Sequence, residues 1–179
     1  MAEVVRLCLD LNIWCANLIS SRKGRQSTAS QSLVEIVRQG ICEIGPVQLV
    51  ISWGMLNRLR QVLEKDLQVS DSAADLYIDA IRGYAQLGPA GAGPQLILGG
   101  TGIIALQDAE DAHVLETALA GQADVLVTAN FADFISKDTQ IIIPGRHAIH
   151  TAPDHQFQIA HPYLIMDWLR QGYLPAPIK

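Results

Sequence analysis

Apolar residues fall into two periods along the chain. Short runs of strand length alternate with longer stretches in which they recur every three or four positions. Val4–Leu9 reads as the first strand and ends at Asp10. Helical spacing follows to about Ser20, then a polar hinge over Ser21–Ser27. A second helix spans Thr28–Arg38, with Leu33, Ile36 and Val37 on one face and Gly40 past its end. Val47–Ile51 is the second strand, followed by helical spacing through Met55, Leu56, Leu59, Val62 and Leu63. Asp71–Leu87 forms the next helix. A Gly/Pro-rich segment carries the short runs Leu96–Leu98 and Ile103–Leu106, and an acidic helix starts at Asp108. Val114, Leu115, Ala118 and Leu119 make its buried stripe. Val125–Val127 and Ile141–Ile143 are expected as the last parallel strands, and Pro162–Gln171 as the closing helix.

Strands separated by helices of this length imply βαβ units. The expected fold is α/β, a three-layer α/β/α sandwich around a central parallel sheet of four to five strands. With 179 residues and no repeat or linker, residues 1–179 read as a single domain.

Composition narrows the classes. Hydrophobic residues make up 49% of the chain and charged residues 17%, which excludes intrinsic disorder. A net charge of -5 argues against a general nucleic-acid coat, yet suits an enzyme whose site is built from carboxylates. Cys8, Cys15 and Cys42 are odd in number and sit in apolar contexts, as reduced thiols do. Glu3, Arg6 and Asp10 interrupt any signal-peptide core. The longest uncharged stretch, Gly83–Gln107, holds seven glycines and two prolines and is no membrane span. The expectation is a cytoplasmic protein without membrane contact.

In open parallel sheets, sites form beyond the carboxyl ends of the strands. Asp10 and Asn12 follow the first strand, Ser52 the second, and Thr128, Asn130 and Asp133 the strand Val125–Val127. Asp108 and Asp111 open the acidic helix. Carboxylates converging on one edge repel one another unless a divalent cation lies between them. Each residue also admits a purely structural role. Asp10 can cap a helix, Asp108, Glu110 and Asp111 can favour a helix dipole, and Asp133 can be a loop residue. Their shared edge favours a site.

Read together, these pieces resemble PIN domains, the metal-dependent ribonuclease fold of toxin components in toxin–antitoxin pairs and of RNA-processing proteins. Leu7-Cys-Leu-Asp10-Leu-Asn12-Ile-Trp14 resembles the family's first-strand motif. The stretch from Asp108 through Asp111 to Ala118, continued by Ala123 through Thr128, Asn130, Asp133 and Phe134, resembles its acidic helix and following strand. Ser52–Leu63 and His161–Leu169 are similar to its second strand with helix and to its closing helix. The resemblance implies hydrolysis of single-stranded RNA with Mg²⁺ or Mn²⁺ held by Asp10, Asp111 and Asp133. Asn130 would join the catalytic set, and Thr128, Asn12, Ser52 and Asp108 would support it. It further implies a homodimer and, for a toxin, a small antitoxin partner.

Two positions depart from the pattern. Arg58 stands where the family usually carries Glu, and Asn130 where it often carries Asp. Glu64 falls on a different helix face, and Glu35 is a more distant substitute. An inward Arg58 would take the metal's place and leave a degenerate PIN domain that binds RNA or protein. An outward Arg58 would contact substrate phosphate, as Arg22, Lys23 and Arg25 would. A haloacid-dehalogenase-like phosphatase is a third reading, opposed by Asn12 where that chemistry needs an acid. The histidines His147, His150, His155 and His161 lack companions for a zinc site. The glycine runs Gly91–Gly93 and Gly99–Gly102 read as turns.

Overall fold

The computed structural model of the chain describes residues 3–96 and 109–176. Its elements are β1 (Val5–Leu9), α1 (Leu11–Arg22), α2 (Ala29–Gln39), β2 (Ile41–Cys42), β3 (Gly45–Val50), α3 (Trp53–Lys65) and α4 (Asp71–Gln86). Then follow α5 (Ala109–Ala120), β4 (Val125–Val127), a 3-10 turn (Phe131–Phe134), β5 (Thr139–Ile143), β6 (His147–Thr151), β7 (Gln156–Ala160) and α6 (Pro162–Gln171). Asp108, Ile103–Leu106, Gly99–Gly102 and part of Leu96–Leu98 lie outside the described residues.

The strands form one mixed sheet in the order β2-β3-β1-β4-β7-β6-β5. Its centre, β3-β1-β4-β7, is parallel, as the alternation of strands and helices predicts. Ile141–Ile143 corrects the expectation of a parallel strand. It lies in β5, antiparallel to β6 at the sheet edge. Residues 144–146 join the two strands, and so short a connection permits only antiparallel pairing. The parallel place beside β4 belongs instead to β7.

The connection from β1 to β3 runs one way along the sheet, and that from β3 to β4 runs back across β1. Right-handed crossovers in opposite directions put their helices on opposite faces, giving the layered sandwich. α2 packs on α1, α6 and α4, and α3 packs on α4, α1 and, less extensively, α5. Local chemistry fixes the helix ends. Thr28 and Gln31 form a reciprocal capping box on α2, and Gly40 closes that helix at φ +69°. Ser52 caps α3 through a 3.2 Å bond from the Met55 N–H.

The core surrounds β1 and β4, where Leu7, Cys8, Leu9, Val125, Leu126 and Val127 are fully buried. Trp14 is fully buried and donates its Nε1–H to the Leu9 carbonyl at 3.2 Å. That bond folds the first turn of α1 back against β1 and fixes the bend at Asp10. Trp168 is also buried, whereas Trp53 is partly exposed.

Candidate active site

The chain leaves β1 toward β3 and leaves β4 toward β7. Adjacent strands whose connections diverge open a crevice at their carboxyl ends. Asp10 follows β1 and Thr128 follows β4, so both stand at this switch point.

Asp10 is 6% exposed. Its Oδ1 accepts from the Leu11 N–H at 2.7 Å, which makes it the cap of α1. Its Oδ2 accepts from the Thr128 hydroxyl at 2.7 Å and from the Asn12 side-chain amide at 2.8 Å. Asn12 spans the gap between strand ends, since its Oδ1 accepts from the Ala129 N–H at 3.3 Å. Thr128 Oγ1 in turn accepts from the Asn130 N–H at 3.0 Å. Capping and site building are thus the same set of bonds.

Burial pushes the Asp10 carboxyl above the usual carboxylate range. The Thr128 hydroxyl and Leu11 N–H pull it down, and the negative charges of Glu110 and Asp133 push it further up. Three segments therefore bring acidic groups to bear on one point: the end of β1, the start of α5 and the turn after β4. All the donors there are hard oxygens, the set that suits Mg²⁺ or Mn²⁺. Among the described residues, no three carboxylate, imidazole or thiol groups stand close enough together to hold an ion.

The other expected residues fall as follows. Asp111 is half-buried in the first turn of α5, beside Glu110. Asp133 and Asn130 are exposed, and the Asp133 N–H donates to the Asn130 carbonyl at 3.1 Å. Arg58 is exposed on α3, and its Nε lies 3.0 Å from Glu110 Oε2. Arg22, Lys23 and Arg25 are exposed around the end of α1, with Arg22 donating to the Leu67 carbonyl at 3.0 Å. Glu35 pairs with Arg38 and Glu64 with Arg60.

Ser52 occupies a different place from the carboxylates. It is fully buried, and its described bonds run to Met55 N, Thr117 Oγ1 at 2.9 Å and His113 Nε2 at 3.3 Å. It joins α3 to α5 instead of holding Asp10. His147 bonds Gln158 Oε1 at 2.6 Å, while His150 packs against Phe157, so the two serve separate faces of β6.

Two residues of this region escaped the sequence reading. Glu110 was visible only as one member of an acidic turn, and nothing distinguished it from Asp111. His113 carried a signal in retrospect. Gly54, two residues after Ser52, is the gap into which its ring fits, because a Cβ there would fall 2.0 Å from His113 Nε2.

A family model described as PIN domain matches residues 6–132. The matched stretch runs from β1 into the 3-10 turn, stops one residue short of Asp133 and does not reach α6. No curated protein and no solved structure matches the chain.

Proposed function

The chain belongs to the PIN domain family, a nuclease fold, and from that premise we propose that it is a metal-dependent endoribonuclease cutting single-stranded RNA. The observation that carries this reading is the buried Asp10 carboxyl at the carboxyl ends of β1 and β4, held there by Thr128, Asn12 and the Leu11 N–H, with the charges of Glu110 and Asp133 acting on it more weakly. Like charges gathered at a strand end are costly without a cation to offset them. By the family resemblance Asp10, Asp111 and Asp133 would hold Mg²⁺ or Mn²⁺, the latter two after closing on Asp10 from where they stand among the described residues. When bound, the ion supplies a water of lowered pKa and offsets the negative charge of the phosphorane.

The chain's own groups supply orientation. Thr128, Asn12 and the Leu11 N–H fix both Asp10 oxygens before substrate arrives, so no reorganisation is needed during reaction. Asn130 is exposed at the mouth of the crevice, where its side chain would order the attacking water. The exposed guanidinium of Arg58 and the cluster Arg22, Lys23 and Arg25 would contact substrate phosphates.

The reading extends to setting and partners. Cys8, Cys15 and Cys42 are free thiols, and no helix among the described residues is long and apolar enough to cross a membrane; a cytoplasmic place accords with both. The isoleucines of β5 support a homodimer. Ile141, Ile142 and Ile143 are 38–49% exposed on an edge strand, where an uncovered apolar row invites pairing. A toxin role with an antitoxin partner follows from the family resemblance and from no contact of this chain.

The test is cleavage of mixed-sequence single-stranded RNA with Mn²⁺, beside Asp10→Asn and Asp111→Asn. Cleavage that needs the ion and vanishes in both variants is the expected result. Persistent cleavage in Asp10→Asn, or none by the unaltered protein, would overturn the reading.

One observation favours a second reading. The Arg58–Glu110 pair sets a permanent cation beside the acidic cluster. A PIN domain neutralised in this way would be a binding module without catalysis. It predicts RNA or protein binding unaffected by chelators.

A further inference from the structure

β1, β4 and β7 end in register. Leu9 pairs with Val127 and Val127 with Ala160, so the next residues, Asp10, Thr128 and His161, form one row along the carboxyl edge of the sheet. The Thr128 N–H donates to the Ala160 carbonyl at 3.1 Å, which holds that alignment. At about 4.8 Å per strand, the His161 backbone stands about 10 Å from that of Asp10 along the row. The row continues past it. His147 opens β6 opposite Ala160, and the His161 N–H donates to the Arg146 carbonyl at 2.8 Å.

This end of the row carries groups that the site at Asp10 does not use. Arg146 is exposed, and its guanidinium has no ion pair or hydrogen bond among the described residues. Tyr163, in the first turn of α6, is 63% exposed, and its ring lies 5.0 Å from the His161 ring at 51°. His161 Nδ1 accepts from the Tyr163 N–H at 3.2 Å, which caps α6 and holds the imidazole beside the phenol. Burial, and then the Arg146 charge, push the His161 pKa down, so its ring is a neutral aromatic surface at pH 7. An unpaired planar cation and an exposed, braced ring thus both adjoin His161.

We propose that Arg146, His161 and Tyr163 form a subsite for a nucleotide flanking the phosphate presented to Asp10 on a single strand of RNA. Arg146 contacts the phosphate of that nucleotide, and Tyr163, braced by His161, stacks on its base. The register of the strands supplies the link. An RNA strand laid along the carboxyl edge from Asp10 passes Thr128 and meets this patch next. Duplex RNA offers phosphates but keeps its base faces covered, and a run of acidic side chains offers charge without a planar face. Neither uses both groups. The subsite rests on the nuclease reading for what happens at Asp10, but RNA binding here is measurable without cleavage.

The first measurement is binding of a short fluorescent single-stranded RNA in chelator, read by anisotropy across a salt series. Tyr163→Ala should weaken binding about tenfold, and Tyr163→Phe should restore it, because the ring alone does the stacking. Arg146→Ala should weaken binding and reduce the slope of log affinity against log salt by about 0.7, the loss of one phosphate contact. An abasic strand should bind Tyr163→Ala and the unaltered protein equally. Both side chains are exposed, so the variants should keep the thermal midpoint. No binding by the unaltered protein, or equal binding by both alanine variants, would overturn the subsite. So would duplex RNA weakened equally by Tyr163→Ala. An acidic peptide that displaces the RNA and depends on both residues would give the surface to a protein partner instead.

The second measurement separates this claim from the chemistry at Asp10. With Mn²⁺, Tyr163→Ala should raise KM about tenfold at unchanged kcat, whereas Asp10→Asn should abolish cutting and still bind RNA. RNA bound through Arg146 and Tyr163 but never cut would remove the nuclease reading and keep the subsite. RNA cut by Tyr163→Ala with the KM of the unaltered protein would keep the nuclease reading and overturn the subsite.

Discussion

Thr128 Oγ1 donates a 2.7 Å hydrogen bond to Asp10 Oδ2, and the two residues are 118 apart in sequence. The hydroxyl both satisfies a buried carboxylate and ties the ends of β1 and β4 together. Thr128→Val keeps the shape and removes the donor, leaving that oxygen to the Asn12 amide. The expected cost is about 1–3 kcal/mol in denaturant unfolding. The acid limb of the cleavage pH profile should also move upward, since one of the groups pulling the Asp10 carboxyl down is gone.

Asp10 should lower the stability of the protein at neutral pH relative to a neutral side chain in its place. Its folded carboxyl titrates above its unfolded value because of burial and the charges of Glu110 and Asp133. The stability this group contributes is therefore fully present below the unfolded value of 3.8 and lost as pH rises through the folded one. Asp10→Asn should raise the thermal midpoint at pH 7 in chelator and change it little below that unfolded value. Calorimetry at the two pH values checks both statements.

Mn²⁺ should act in the opposite direction. A ligand that binds only the folded state stabilises it by mass action, by about 2.7 kcal/mol at a hundredfold excess over Kd. Calorimetric scans should show the midpoint rising with added Mn²⁺ in the unaltered protein, falling back with chelator, and staying flat in Asp10→Asn.

Arg58 lies 3.0 Å from Glu110 and so offsets part of the negative charge that the proposed ion would meet. The pair is substantially exposed, so its strength is modest, on the order of 0.2–1 kcal/mol. Arg58→Ala should then lower the Mn²⁺ concentration at half-maximal stabilisation by about two- to fivefold. An unchanged Mn²⁺ dependence would mean that the guanidinium does not offset the charge the ion meets.

The β5 edge can be tested by charge. Ile142→Lys places an ammonium in the exposed row Ile141–Ile143, a common natural protection against edge pairing. Sedimentation should show the unaltered protein as a dimer and the variant shifted to monomer, with the same thermal midpoint at low concentration.

How much of this could be read from the sequence depended on whether burial and polarity agreed locally. Pro162–Gln171 and Val125–Val127 lie where the spacing put them, because their buried positions are apolar throughout. β7 was not legible. Its buried positions include Gln158, which pairs with His147 of β6 at 2.6 Å and so breaks the apolar pattern. Asp10 stands past the end of β1 with Asn12 beside it, where the strand pattern put them, whereas no three acidic groups among the described residues close on one another. Which acid of α5 acts on Asp10 was not visible. Neighbouring helical residues point about 100° apart, and nothing in the local sequence fixes the phase of so short a turn.

The long sequence separation between Asp10 and Thr128 has a consequence for biosynthesis. A chain still emerging from the ribosome has β1 early but lacks the strand that completes the Asp10 hydrogen bonds until more than a hundred further residues have followed. Non-local contacts of this kind form late and cooperatively. The hydrogen-bond set around Asp10 is therefore incomplete throughout translation of the first two thirds of the chain, so the end of β1 becomes fully ordered only when β4 has been made.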